Sequence, residues 1–374
     1  MEQLQKRLSK VLIIDGSYMI QRALNVPELW NLKSSKGLRT GGIFGFLRSL
    51  NYEFKGVDYY PVVTWDSGLA KRRTEVYERY KRNHIRTADK LMRECKDETD
   101  FSIRLEESFS EESTLNEAIE SVRETLAASR IEAVNKMDED DYRAQYRRQR
   151  DILITILNAI GVPSIKVNGW EGDDLMTLLT RISEESIVMT DDKDLIQLIG
   201  PHTQIIRPMQ KQHLVYDKYL PEQDISCSRE LAITKAIEGD GSDNIPGVTE
   251  GLETKYRVGH VRAKQIAKII LENDEDPDKY LKVLRDSGKN YYLGFVQRHD
   301  DYIRNMKLVD LSLVPNDESV IETAVTEIMA RAGKCNYLSA AQMLAEQEIT
   351  SFDLSAFISK MSILSCSIKA GGSY

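Results

Sequence analysis

The sequence is poor in residues that bind soft metals or cross-link the chain. Its four cysteines, Cys95, Cys227, Cys335 and Cys366, are far apart and form no CxxC pair. This spacing excludes the common zinc motifs and indicates no disulfide framework, so we expect reduced thiols. The five histidines are equally scattered, and we expect each to be a surface or packing residue.

Long apolar runs are also missing. No run of about eighteen apolar residues occurs, and the start MEQLQKRLSK lacks the apolar stretch of a signal peptide. Apolar residues make up 41% of the chain, which is enough for the core of one large α/β domain or of two closely joined ones. We therefore expect a globular cytosolic protein with no membrane contact and, because coiled-coil heptads are absent, a monomer.

The net charge of −8 disfavours a nucleic-acid partner at first sight, because phosphate binding requires an excess of Lys and Arg. The charge is unevenly distributed, however. Residues 94–141 hold sixteen Asp and Glu against five Lys and Arg, so the remainder of the chain carries about +3. A nucleic-acid partner is therefore compatible with the composition.

Four short apolar segments between helical patterns predict a parallel sheet with crossover helices. They are residues 11–14, 61–65, 163–167 and 186–190, which read VLII, PVVTW, PSIKV and SIVMT. An acidic residue follows each segment within a few positions. Because the carboxyl ends of parallel strands lie at one edge of a sheet, we expect these acids to meet there.

Five short segments carry the candidate chemistry: IIDGS, TWDSG, WEGDDL, TDDKDL and GDGSDN. Their candidate metal ligands are nine acids, namely Asp15, Asp66, Glu171, Asp173, Asp174, Asp192, Asp194, Asp240 and Asp243. Each segment alone is weak evidence, because an Asp after a strand is often a turn residue or a helix N-cap. Together, however, the acids would repel one another by on the order of a few kcal/mol per close pair unless cations were bound.

Oxygen ligands without Cys or His favour Mg²⁺, with Mn²⁺ as a possible substitute, and the surplus of acids indicates two ions. Two such ions suit phosphodiester hydrolysis. Within WEGDDL, Glu171 and Asp174 are three residues apart and share one face of a helix, so both can serve the same site.

The order of these acids, D…D…ExDD…DxD…DxxD, resembles the 5′-nuclease superfamily, which includes bacterial polymerase I nuclease domains and phage flap endonucleases. The phage branch is nearest. The resemblance covers residues 8–310 and implies an α/β fold: a mainly parallel PIN-like sheet, a helical arch and a helix-three-turn-helix subdomain. It further implies that the first seven acids form one metal site and that Asp240 and Asp243 complete the second. Asp15, Asp66 and Asp192 are taken as catalytic, while Asp191 has no counterpart and is read as a surface or turn acid.

The basic segment 71–86, KRRTEVYERYKRNHIR, has a net charge of about +5 and is, without context, equally compatible with a solvated helix face. Its position resembles the helical arch of the family, where a YKxxR motif grips the scissile phosphate. Lys81 matches that motif, but His84 stands at the Arg position. We therefore assign catalytic charge stabilisation to Lys81 and Arg82. The candidate DNA-contacting residues of the arch are Arg72, Arg73, Tyr80, Lys81 and Arg86.

Residues 244–264 resemble an expanded helix-three-turn-helix, which in the family reads GVxGIGxKxA. Gly247 fits the first half and Gly259 the second, with about eight extra residues between them and Val261 at the usual Lys position. Together with Arg262 and Lys264, these glycines are the candidate duplex contacts, and the resemblance also implies a possible K⁺ ion. The alternative is a helix hairpin used only for packing.

We predict three units: an α/β nuclease core at 8–225, a helical DNA-binding subdomain at 226–310 and a helical C-terminal extension at 311–374. The core includes the arch at 68–86 and an acidic insertion at 88–141 that carries an amphipathic helix and is a candidate site for a replication protein. Within the core, residues 40–50 resemble the helix beside the unpaired junction, although Phe44, Phe46 and Leu47 are more typical of core packing.

The expected function is a structure-selective 5′-nuclease, an exonuclease, a flap endonuclease or both, that removes 5′ strands or primers from DNA or RNA·DNA during replication or repair. A bacterial cell or a phage-infected host is the expected setting. The alternative is a catalytically inactive junction-binding protein of the same fold. A Toprim enzyme also uses a Glu followed by DxD, but it explains neither Asp15 nor the last acid pair.

Overall fold

The computed structural model describes residues 8–81 and 139–370 and contains one six-stranded sheet in the order β3-β2-β1-β4-β5-β6. The strands are β1 (Leu8–Asp15), β2 (Tyr60–Thr64), β3 (Ser164–Ile165), β4 (Ser183–Met189), β5 (Thr203–Arg207) and β6 (Gln212–Leu214). Every pairing is parallel except that of β5 with the edge strand β6. The predicted mainly parallel sheet is therefore confirmed.

The neighbouring strands β1 and β2 have the apolar character expected of strands that are covered on both faces. Val11, Leu12, Ile13 and Ile14 of β1 are all fully buried, as is every residue of β2. Their residues pair in parallel register, with Asp15 opposite Thr64 at the carboxyl end. Burial on both faces removes the alternation of polar and apolar residues, which is why these strands read as continuous apolar runs.

Seven helices accompany the sheet within residues 8–81 and 139–225. They are α1 (Gly16–Leu24), α2 (Pro27–Trp30), α3 (Gly41–Lys55), α4 (Lys71–Val76), α5 (Glu139–Ala159), α6 (Gly172–Ile182) and α7 (Tyr216–Glu222). In α3, Phe46 and Leu47 are buried in the main core and Phe44 packs against it. These three residues therefore pack as core residues.

A second apolar core lies in the helices that follow. These are α8 (Ser228–Glu238), α9 (His260–Glu272), α10 (Pro277–Asp286), α11 (Asn290–Gln297) and α12 (His299–Val309). Their buried residues form a cluster separate from the core of the sheet, and Tyr80 of the arch segment joins it. The arch base is thereby attached to this helical region.

The C-terminal helices are α13 (Glu318–Arg331), α14 (Tyr337–Glu346) and α15 (Leu354–Ala370). Their buried apolar residues belong to the same cluster as those of the sheet, and α15 packs against β1 and β2. This region is therefore part of the core of the sheet in packing terms. The unit boundaries at 225 and 310 stay predictions.

Two sets of predictions lie outside the described residues: arch residues Arg82, His84 and Arg86, and the acidic insertion with its amphipathic helix. Cys95 also lies there, while the other three cysteines are free thiols. Across residues 8–81 and 139–370, none of the helices combines the length and apolar character needed to cross a bilayer.

Candidate active site

The predicted acids lie at the carboxyl edge of the sheet. Asp15 is the last residue of β1, and Asp66 follows β2 by two positions. The ExDD acids open α6, where Glu171 is the N-cap residue and Asp173 and Asp174 lie in the first turn. Negative charge is favourable at a helix N-terminus, because the backbone N–H groups there have no intrahelical partner. Topology and helix electrostatics together therefore bring these acids to one place.

One cavity of about 460 Å³ is lined by eight of the nine predicted acids. They are Asp15, Asp66, Glu171, Asp173, Asp192, Asp194, Asp240 and Asp243. Lys81 and Lys235 also line it. Asp174 is not part of the lining, because its side chain is almost fully buried against Arg72 and Arg73.

Short hydrogen bonds from the backbone fix several of these carboxylates. Asp15 accepts the amide of Tyr18 at 3.0 Å and the hydroxyl of Thr190 at 3.1 Å. Asp66 accepts the amide of Gly172 at 2.7 Å. A β-carbon built on Gly172 would lie 3.2 Å from that Asp66 oxygen, so the glycine keeps this contact uncrowded. The acids are thus oriented by loops that the strands position.

The last acid pair depends on a tight loop. Gly239 has φ +78° and ψ −174°, a conformation that is essentially restricted to glycine. A β-carbon on Gly239 would lie 2.5 Å from the amide nitrogen of Gly247 and from the carbonyl oxygen of Ile245. The loop that carries Asp240 and Asp243 can therefore close only if residue 239 has no side chain.

Alanine at Gly239 is expected to lower the free energy of unfolding by more than about 2 kcal/mol, because backbone strain of about 1–3 kcal/mol adds to the clash. Equilibrium denaturation in urea measures the loss. Gly251→Ala is the matched control, because Gly251 also has φ +78° but a β-carbon there meets no atom within 4 Å. Equal losses in the two variants would contradict the close approach at Gly239.

Four basic side chains neutralise most of the acids. The guanidinium of Arg73, which is only 2% exposed, binds Glu171, Asp173 at 2.8 Å and Asp174 at 3.0 Å. Arg72 binds Asp174 at 2.6 Å. Burial at this depth is tolerated only for a charge that is paired. Arg73 is therefore an internal counter-ion of the ExDD motif.

Two lysines complete the set. Lys81 lies 2.8 Å from Glu171 and 3.8 Å from Asp243. Lys235 lies 3.0 Å from Asp194 and 2.8 Å from Asp240. Burial opposes the charged form of Lys235, but the two carboxylates raise its pKa above the usual value. Each half of the acid cluster thus has its own lysine.

Burial raises the pKa values of several acids in the cluster. Burial, with smaller contributions from Asp66 and Asp192, raises the pKa of Asp15 to about 8. Burial and Asp192 raise the pKa of Asp194 to about 6, and burial raises that of Asp243 to about 6 despite Lys81. Burial also favours a raised pKa at Asp173, but Arg73 outweighs it and the pKa is lowered. The cluster therefore holds more acidic groups than its basic side chains neutralise.

The donor set fits hard divalent cations. The candidate ligands are all carboxylates, and the unneutralised groups concentrate at the cavity. As the side chains stand, no group of three or more candidate ligands among the described residues is arranged to hold a metal ion. Arg73, Lys81 and Lys235 hold carboxylate oxygens of this cluster in ion pairs. Binding a metal ion would require some of these oxygens to turn away from their basic partners.

Two arch residues are placed differently from the prediction. Arg73 and Tyr80 were expected to contact DNA, but both are buried, and the Tyr80 hydroxyl donates to Glu171 at 3.0 Å and to Asp243 at 3.2 Å. The basic charge of the segment and its resemblance to the arch do not reveal which of its side chains are buried. Arg72 and Lys81 are partly exposed, at 20% and 32% of their side chains, and stay predicted contacts.

Two other residues were missed or misread. Lys235 lies in α8, and its partners Asp194 and Asp240 stand at sequence separations that are not those of a helical ion pair. Asp191 was read as a surface or turn acid, but it is buried and accepts the amide of Met209 at 2.9 Å. It therefore anchors the β5–β6 hairpin beside the cavity.

The predicted duplex contacts lie at the turn before α9. Gly259 is the N-cap residue of that helix, and Arg262 is exposed in its first turn. The amide of Gly247, however, donates to the Glu250 carboxylate at 3.0 Å, and Lys264 donates to the carbonyl of Gln223 at 3.1 Å. The Gly247 amide and the Lys264 ammonium group are therefore engaged within the protein, whereas the Arg262 side chain is exposed.

Comparison with known families gives one family match. The family described as 5′-3′ exonuclease, N-terminal resolvase-like domain, matches residues 10–142 and 136–223. DNA polymerase I of Streptococcus pneumoniae is 25% identical over 255 residues, which are 64% of this chain and 22% of the polymerase. The chain therefore spans about a fifth of the length of that relative. The 5′-3′ exonuclease of Aquifex aeolicus is 23% identical over 268 residues, with 70% of this chain and 72% of the relative covered.

Solved structures with the same fold include T5 5′-exonuclease with bound divalent metal ions (zinc). Its TM-score is 0.56 at 16% identity, and the match covers 86% of this chain and 98% of that one. The T5 D15 protein co-crystallised with metal ions has a TM-score of 0.54 at 16% identity, over 86% of this chain and 99% of that one. The family match spans more than half of the sequence, and the sheet and the acid cluster agree with it. The chain therefore belongs to the 5′-3′ exonuclease family of the 5′-nuclease superfamily, whose members are phosphodiester hydrolases.

Proposed function

We propose that this protein is a metal-dependent, structure-selective 5′-nuclease that removes 5′ strands or primers from branched or 5′-ended DNA. The observation that carries the proposal is the cavity in which eight acids from four strand ends and the 240–243 loop lie beside two lysines. The Aquifex relative named 5′-3′ exonuclease and the polymerase I relatives support the same reaction class.

The resemblance assigns the first seven acids to one metal site and Asp240 and Asp243 to the second. In the structure the ExDD acids contact Arg73, Glu171 and Asp243 lie near Lys81, and Asp194 and Asp240 share Lys235. Two Mg²⁺ ions, or Mn²⁺, when bound there would activate water and stabilise the departing oxygen of a phosphodiester. Carboxylates that are already held by backbone amides need little reorganisation to serve as ligands.

Lys81 is the described arch residue best placed to act on the substrate. Its ammonium group lines the cavity, and its side chain is 32% exposed. Burial opposes the charged form of Lys81, but Tyr80, Glu171 and Asp243 outweigh burial and raise its pKa, so the amine stays protonated. A protonated amine at this place can donate to a phosphate oxygen and offset the negative charge that develops in the transition state. Arg82 was assigned the same role and stays a prediction.

The proposed contacts with DNA extend beyond the cavity. The helical region from α8 to α12 would hold the duplex, and the arch would hold the 5′ strand. The T5 flap endonuclease structure with DNA and metal ions shares the fold, with a TM-score of 0.51 at 14% identity. This shared fold supports the proposed roles of the helical region and the arch. We place the activity in the cytosol of a bacterium or a phage-infected host, with the acidic insertion or the C-terminal helices as the site for a replication protein.

A labelled 5′-flap duplex tests the proposal. Purified protein is expected to release the 5′ strand in Mg²⁺, and excess EDTA is expected to lower the rate below detection, because no described basic residue can replace the activation of water by a metal ion. Restoring Mg²⁺ after EDTA should restore the rate. The same oligonucleotides without the flap, or with an RNA 5′ strand, measure structure and sugar preference.

The alternative is the catalytically inactive junction binder. Binding of the flap duplex without cleavage in either Mg²⁺ or Mn²⁺ would favour it. A binder would gain affinity by losing acids near DNA, so retention of all nine acids supports the nuclease.

A further inference from the structure

The turn between α8 and α9 departs from the pattern that the resemblance implies, with about eight extra residues between Gly247 and Gly259. The insertion forms a closed loop. The amide of Val258 donates to the hydroxyl of Thr249 at 2.8 Å, and Thr249 itself is buried. The carboxylate of Glu250 caps the amide of Gly247 at 3.0 Å. Hydrogen bonds within the loop thus fix its shape.

The loop also packs against α11. Its short 3₁₀ helix, Thr254–Tyr256, packs on α11. A β-carbon on Gly294 of α11 would lie 2.4 Å from the carbonyl oxygen of Tyr256, so the two backbones touch there. The loop is therefore packed closely against α11.

Two guanidinium groups donate hydrogen bonds to backbone carbonyls of this turn. Arg257 donates through Nε to the carbonyl of Leu252 at 2.8 Å. Arg262 donates through Nη1 to the carbonyl of Arg257 at 2.8 Å, and its guanidinium lies 4.5 Å from the ring centroid of Tyr291. Backbone carbonyls are the ligands that a monovalent cation would use in such a turn, and a fixed positive charge repels an added cation. The residues present therefore do not fit the K⁺ ion that the family resemblance implied.

Both arginines are exposed and keep further donors for a ligand. Each uses one nitrogen in these contacts, whereas a guanidinium group presents five N–H donors in a planar fork. Such a fork suits phosphate oxygens. Stacking on Tyr291 and the carbonyl contacts hold the planes in place, which reduces the entropy lost when a phosphate binds.

We propose that Arg257 and Arg262 replace a potassium ion in this turn and bind duplex phosphates directly, so that DNA affinity does not depend on the identity of the monovalent cation. The inference rests on the proposed DNA substrate. It assigns a function to the insertion that follows Gly247, whose own amide already donates to Glu250.

Fluorescence anisotropy of a 5′-flap duplex, in EDTA to prevent cleavage, tests the cation dependence. Affinities measured in KCl, NaCl and tetramethylammonium chloride at equal ionic strength are expected to agree within about twofold, because all three salts screen phosphates alike. An affinity at least about fivefold higher in KCl would overturn the inference.

Removing either arginine tests the direct contact. Arg257→Gln and Arg262→Gln are each expected to weaken duplex binding by about three- to tenfold and to reduce the slope of log affinity against log salt by about one. Lys334→Gln, an exposed residue beyond α13, is the charge-matched control and should change neither quantity. Should a glutamine variant fold poorly, Arg257→Lys and Arg262→Lys keep the charge and are expected to retain the salt slope but not the full affinity.

Unchanged affinity and slope in both arginine variants would also overturn the inference. These results are separable from those on the proposed function. A protein that cleaves flaps in Mg²⁺ but binds DNA only in KCl contradicts this inference alone. Absence of flap-duplex binding in every salt contradicts both.

Discussion

Asparagine at Asp192 is expected to lower the rate of 5′-flap cleavage by at least about a hundredfold while DNA binding is kept or strengthened. Asp192 lines the cavity, and its carboxylate accepts the amide of Asp194 at 2.9 Å. Loss of groups that merely support a metal ligand costs about 10–100-fold, so loss of a candidate ligand should reach at least the upper end. Removing a negative charge near phosphates favours DNA binding. Single-turnover cleavage and anisotropy in EDTA measure the two effects.

Asp191→Asn is the matched control for this experiment. Asp191 is the preceding residue and also borders the cavity, so the change removes the same charge at nearly the same place. Its carboxylate serves the amides of Met209 and Gln210, and an asparagine oxygen can still accept one of them. We expect less than about a fivefold loss of rate. Equal losses at 191 and 192 would show that net charge, not a specific ligand, sets the rate.

Much of the fold could be predicted from periodicity. The four apolar segments proved to be β1 to β4, and the pattern is clearest in β1 and β2, whose burial on both faces gives continuous apolar runs. Strands β5 and β6 were missed. β5 reads TQIIR, with only two strongly apolar residues, and β6 is a three-residue edge strand that reads QHL. Edge strands pack on fewer neighbours, so their sequences carry a weaker pattern.

The acidic residues of the candidate site were predictable from the sequence, but the basic side chains that pair with them were not. The acids follow strands, and the topology of a parallel sheet brings strand ends together whatever lies between them. Pairing of Arg73 with the ExDD motif depends instead on how a short helix, α4, places residue 73 beside the N-terminus of α6. Lys235 reaches Asp240 across a tight loop whose closure depends on Gly239. Neither contact has a spacing that a sequence alone would reveal.

Arg73 connects three parts of the molecule. Besides its three carboxylates, it donates through Nε to the carbonyl of Leu308 at 3.0 Å, near the end of α12. The neighbouring Arg72 donates to the carbonyl of Lys307 at 3.3 Å. The base of the arch, the acid motif and the helical region are thus joined by one buried guanidinium group. Its removal would leave buried carboxylates and a carbonyl without their partner.

Glutamine at Arg73 is therefore expected to lower the free energy of unfolding by about 3 kcal/mol in EDTA. Breaking a buried ion pair from one side costs about 3–5 kcal/mol, and the lower end applies because Asp173 is 29% exposed and Arg72 and Lys81 remain. Equilibrium denaturation in urea measures the loss. Mg²⁺ should stabilise this variant more than the unchanged protein, because the freed carboxylates become available to a divalent cation.

Lys71→Gln is the control on the same helix. Lys71 is 83% exposed and lies 3.6 Å from Glu75, an exposed pair of a kind that contributes little. We expect its free energy of unfolding to change by less than about 0.5 kcal/mol, with no added effect of Mg²⁺. A loss at Arg73 as small as that at Lys71 would mean that the ExDD carboxylates are stable without the guanidinium group. Their need for counter-charge, which is the physical basis for a metal site in this cavity, would then be contradicted.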